Sequence, residues 1–95
     1  MEYPHSKANI DKEELQAAKI MYDLRREKLG EVHVATMISL STLALFYQSV
    51  GDYKTALSFY EKLSAQTTDT YGANHRKTLK IVRLMKDVLS KIESD

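Results

Sequence analysis

An all-α fold of about four helices, arranged as stacked antiparallel hairpins, is what this sequence predicts. Three observations carry that prediction. First, turn-forming residues are scarce: the chain has 95 residues but only 3 Gly and 1 Pro, fewer than a strand-rich chain would use to punctuate its turns. Second, apolar residues recur at steps of three and four along four long segments. Third, the chain repeats itself. Leu29-Gly30-Glu31-Val32-His33-Val34-Ala35-Thr36 returns as Tyr71-Gly72-Ala73-Asn74-His75-Arg76-Lys77-Thr78, with the Gly, His and Thr each recurring after 42 residues. The same offset brings Leu15 onto Leu57, Met21 onto Leu63, Met37 onto Leu79, Leu40 onto Val82 and Leu43 onto Met85. A period of that length is the mark of a helical repeat array.

The elements follow in order. The first helix begins near Asn9 or Asp11, either of which can cap it, and Glu13 and Glu14 suit its positive end. Its inward stripe is Leu15, Ala18, Met21, Tyr22 and Leu29, and Gly30 stops it. The second helix spans about 34–50, with Met37, Leu40, Leu43, Ala44 and Tyr47 on one face, and Gly51-Asp52 breaks it. The third spans about 53–71, with Ala56, Leu57, Tyr60 and Leu63 inward, and ends at Gly72. The fourth spans about 76–93, with Leu79, Val82, Met85, Leu89 and Ile92 as its expected stripe. The short connections make neighbouring helices antiparallel. Residues 1–10 read as a flexible leading segment and 11–93 as the helical repeat domain, with one complete repeat over about 34–72.

Composition limits what such a domain does. A net charge of +1 gives no global attraction to nucleic acid or to a membrane surface, and neither is expected as a partner. No Cys is present, which removes disulfides and thiolate chemistry and fits a reducing compartment. The longest apolar run, Leu43-Ala44-Leu45-Phe46-Tyr47, is too short to span a bilayer. Met1-Glu2-Tyr3-Pro4-His5 lacks the apolar stretch of a signal peptide, so a soluble cytoplasmic protein is the expectation. No nucleophile motif, phosphate loop or zinc helix motif is present, and no catalytic residue, metal site or cofactor is expected. His33 and His75 recur at the entry to a helix, without Cys or a tight carboxylate cluster, and read as structural. Tyr47, Tyr53 and Tyr60 fall on packing positions, whereas Tyr3 and Tyr71 have no such assignment.

At this point the residues resemble the tetratricopeptide repeat, in its long-period variety seen in kinesin light chain. The stretch Leu40-Ser41-Thr42-Leu43-Ala44-Leu45-Phe46-Tyr47 looks like that family's first helix. Gly51-Asp52-Tyr53 looks like its turn, and Ala56-Leu57-Ser58-Phe59-Tyr60 with Leu63 like its second helix. Leu29-Gly30-Glu31-Val32-His33 is similar to the variety's linker. The sequence departs from the pattern at Val34 and Arg76, where the family has Pro. It departs again at Ser41-Thr42 and Arg83-Leu84, where the family has paired Asn. Glu14 and Lys86 stand where Ala56 and Ala44 stand in the complete repeat.

The resemblance implies a right-handed superhelix whose concave wall is built from the first helix of each repeat. On that basis the inward candidates are Ile38, Ser41, Thr42, Leu45 and Gln48, joined by Lys80, Arg83 and Leu84 from the last helix. Arg76, Lys77, Lys80, Arg83, Lys86 and Lys91 make that helix basic. The implied function is a protein-interaction module taking a peptide with acidic residues and one or two apolar anchors. The alternative is self-association, or membership of a longer scaffold, through helix faces left open at the ends.

Overall fold

The computed structural model describes residues 12–94. Within them lie four helices and no strand: α1 Lys12–Leu29, α2 Val34–Ser49, α3 Tyr53–Tyr71 and α4 Arg76–Glu93. The expected flexible segment 1–10 and the capping residues Asn9 and Asp11 lie outside the described residues.

The repeat is visible first in how the helices start and stop. His33 and His75 are the N-caps of α2 and α4. Each accepts a hydrogen bond through Nδ1 from the amide two residues on, Ala35 or Lys77, at 3.0 Å. Each thereby satisfies a donor that the first turn leaves without an intrahelical partner. Asp52 caps α3 in the same manner, accepting from Thr55 N at 3.3 Å. At the other ends, Gly30 and Gly72 adopt φ of 96° and 105°. Their amides bond back to Arg26 O and Thr68 O at 3.0 and 2.9 Å. A Cβ at either position would meet nothing within 4 Å, so the backbone conformation, not crowding, requires glycine there.

Packing is sequential: α1 lies on α2, α2 on α3 and α3 on α4. All three pairs are antiparallel. In the first, Arg25 donates to Ala35 O and Ser39 Oγ at 3.2 and 2.9 Å, while Lys19 lies over the Tyr47 ring. In the second, the Tyr60 hydroxyl donates to Gln48 Oε1 at 2.8 Å, and the Tyr47 and Phe59 rings sit 5.6 Å apart. The third is closed at its turn by Thr78 Oγ1 donating to Gly72 O at 2.8 Å. Beyond these pairs, Lys62 of α3 reaches Tyr22 of α1 and Glu31 of the first turn, at 3.2 and 3.1 Å. The bond to the Tyr22 hydroxyl holds the Lys62 amine above its usual range against the opposing desolvation, and the bond to the Glu31 carboxylate adds a lesser push in the same direction.

The core is centred on α2 and α3. Leu40, Leu43 and Ala44 of α2 are shut from solvent together with Ala56, Tyr60 and Leu63 of α3. The fully buried alanines remove side-chain bulk at the α2–α3 hairpin, and Tyr60 fills volume beside them. Burial pushes the Tyr60 phenol up to about 12, with the nearby Asp87 carboxylate adding to the effect.

Two sequence expectations need correction. On α1, Tyr22 is buried but Met21 and Leu29 are exposed, because α2 covers only one side of that helix. On α4 the buried residues are Thr78, Ile81 and Val88; of the expected stripe, Met85 and Ile92 are half-buried against the core and Val82 is half-buried, whereas Leu79 and Leu89 are exposed. The reason is geometric. Helix α4 rests mainly on α3, and the face it buries is the one that α2 turns toward α1, so Thr78 and Ile81 correspond to Thr36 and Ser39. The face expected inward corresponds to the side of α2 that α3 covers; on α4 Met85 and Ile92 at its margin pack against the core, and Leu79 and Leu89 are left exposed.

Candidate functional site

Helices α2 and α4 lie on either side of α3, and a groove of about 220 Å³ runs between them. Its floor is apolar: Met37 comes from α2, Leu63 from α3 and Ile81 from α4, all buried, with the exposed Val34 and Ile38 of α2 at the edge. Ser41 and Thr67 add hydroxyls, although Thr67 Oγ1 is already committed to Leu63 O at 2.9 Å. One rim carries two cations, Lys77 and Lys80, and no carboxylate lines the groove.

The first turn of α4 organises that rim. Tyr71 closes α3 and stacks on the His75 ring at 4.7 Å, nearly parallel. The Lys77 amine lies 4.8 Å from the centre of the Tyr71 ring and 3.5 Å from its hydroxyl. A cation over an aromatic face is held by the ring's negative quadrupole while its outer side stays available to an anion. The cap residue His75 thus has two tasks: it starts α4, and it backs the tyrosine that positions Lys77.

Of the residues expected on the inner wall, the structure brings Ile38, Ser41 and Lys80 together in this groove. The others are dispersed. Thr42 donates to Ile38 O at 3.0 Å and faces a shallower cleft against α1, with Ala18, Met21 and Arg25. Leu45 and Gln48 lie at the far end of α2 beside Tyr53 and Lys91, and Gln48 is engaged by the Tyr60 hydroxyl. Arg83 is exposed outside the groove, and Leu84 packs against the core. The difference follows from the repeat: Arg83 is the counterpart of Ser41, which lines the groove on the side of α2 toward α4, and α4 has no further described helix on that side.

Sequence reasoning passed over Val34, Met37, Leu63, Thr67, Tyr71, Lys77 and Ile81 as groove residues. Tyr71 did give a signal, as a tyrosine with no packing assignment in the repeat. Among the described residues there is no group of three side chains able to hold a metal ion, and no helix is long and apolar enough to cross a membrane. No family model, curated protein or solved structure matches the chain.

Proposed function

We propose that this chain is a protein-interaction module that receives a peptide segment of a partner in the groove between α2 and α4. The observation that carries this reading is the groove's chemistry: an apolar floor, two lysines on one rim and no carboxylate in the lining. An apolar side chain on the floor is removed from water, and an adjacent acidic residue meets Lys77 and Lys80. The resemblance to the tetratricopeptide repeat of the kinesin light chain variety supports the same role, that of a scaffold working in the cytoplasm by binding, not by catalysis.

Titration of labelled peptides that combine an apolar anchor with flanking acidic residues tests the proposal. Lys80→Glu places a like charge at the rim and weakens binding by about tenfold, a typical effect of rim charge. Arg83→Glu, outside the groove, leaves binding within about twofold of wild type once bulk electrostatics are screened by salt. Equal affinity of wild type and Lys80→Glu removes the groove from the account.

A further inference from the structure

The repeat assigns every helix face a counterpart, and the two faces open at the ends are counterparts of two faces that are packed together in the middle. On α2 the stripe covered by α3 contains Met37, Leu40, Ala44 and Tyr47. The same positions on α4 are Leu79, Val82, Lys86 and Leu89. Met37 is 6% exposed and Leu79 is 47% exposed, so the repeat keeps the apolar character and the described structure leaves it uncovered. On α3 the covering residues include Ala56, Tyr60 and Leu63, and their counterparts on α1 are Glu14, Ala18 and Met21. Leu63 is 2% exposed whereas Met21 is 46% exposed.

The substitutions at the ends are complementary. Ala44 and Ala56, both fully buried, lie within two turns of the Gly51-Asp52 bend and therefore at similar height on the hairpin. Their counterparts are a cation, Lys86, and an anion, Glu14. The larger pair has room, because Ala18 stands on α1 where Tyr60 fills space on α3, and Ala17 stands where Phe59 does. In the α2–α3 pairing the end of the first helix lies by the start of the second. Transferred to the ends, this sets the half of α4 that holds Lys86 beside the first turn of α1, which holds Glu14; that half also carries Asp87, Lys91 and Glu93, so the complementarity lies in the one pair Lys86 and Glu14.

We infer that copies of this chain stack head to tail, α4 of one copy docking on α1 of the next in the arrangement that α2 and α3 adopt. Lys86 of one copy pairs with Glu14 of the next in the place of the two alanines, and Leu79 covers Met21 as Met37 covers Leu63. The contact joins two different surfaces, so each junction leaves an open α1 at one end and an open α4 at the other, and the assembly grows as a chain instead of closing as a dimer. A junction of two single helices is small, so growth is concentration-dependent, and ionic strength weakens it through the charged pair.

Sedimentation velocity over a concentration series tests this, with circular dichroism confirming that each variant is folded. Wild type increases in mean mass with concentration. Lys86→Glu and Glu14→Lys each set like charges against one another at every junction and weaken association by at least about tenfold. Mixing the two variants restores association, because every junction between unlike variants then pairs opposite charges. A wild type that stays monomeric to millimolar concentration assigns the open faces to some other occupant and overturns the inference. Association indifferent to either reversal, or lost in both variants and not restored on mixing, overturns it equally.

Discussion

Helices α2 and α4 are the same element of the repeat in two different settings. Both enter from a histidine cap, both follow a glycine with positive φ, and both carry a buried Thr and an apolar stripe. Helix α2 has a neighbour on each side and α4 has one, so α2 buries six residues and α4 buries three. The burial of a repeat position is therefore decided by what stacks against it more than by its own residue type. Leu79 is as apolar as Met37 and remains in water.

The sharpest way to break this comparison is at Ala44. Lysine there buries an amine or forces α2 away from α3, and Ala44→Lys costs about 3 kcal/mol or more in urea unfolding. A loss below about 1 kcal/mol would mean that the position is not a close helix contact, and the 42-residue correspondence would fall with it.

The next effect concerns Tyr60, whose hydroxyl donates a hydrogen bond to Gln48 of α2 and feels the negative charge of Asp87 on α4. Its folded value of about 12 lies above the ordinary 10.0. The neutral phenol is thus favoured by folding, and its contribution is fully present below pH 10. Between 10 and about 12 the unfolded chain ionises first, so stability is lost as pH rises, by on the order of 2 kcal/mol from this group. Tyr60→Phe removes that part of the alkaline slope, and Asp87→Asn reduces it. An unchanged slope in Tyr60→Phe would show that the phenol is not the group responsible.

A smaller contrast lies in the paired threonines. Thr78 Oγ1 donates to Gly72 O at 2.8 Å, whereas Thr36 Oγ1 is buried without a hydrogen-bond partner among the described residues. Thr78→Val therefore loses about 1 kcal/mol, and Thr36→Val is neutral or stabilising, because it removes a desolvated hydroxyl that nothing satisfies. Equal losses at the two sites would show that Thr36 has a partner in solution. The least effect is at Lys86, in water on α4: in dilute, monomeric protein Lys86→Ala changes stability by no more than about 0.5 kcal/mol.

Most of the fold was legible in the sequence because its punctuation is local. Gly30, Gly51 and Gly72 stop helices by a backbone conformation that other residues adopt only at a cost, and His33, Asp52 and His75 start them by bonds within one turn. The stripes of α2 and α3 were equally readable, since both helices are packed on two sides and almost any apolar residue on them finds cover. Which face of α4 is covered was not readable. Its sequence offers two apolar arcs, one with Ile81 and Val88 and one with Leu79 and Leu89, and periodicity alone cannot say which has a neighbour. The groove inherited that ambiguity: Ile38, Ser41 and Lys80, named from the sequence, line it, whereas Lys77 and Ile81 could be named only once the covered face of α4 was known.

The largely sequential packing of the helices bears on how occupancy of the groove would be detected. Helix α4 is tied to the rest of the chain mainly through α3, so its amides exchange with solvent when that contact opens. A ligand lying across the groove touches α2 and α4 together and supplies the second attachment that α4 lacks. Its presence would be recorded as slowed amide exchange along Arg76–Glu93, well away from the atoms it touches, while α1, whose own neighbour is unchanged, would exchange as before.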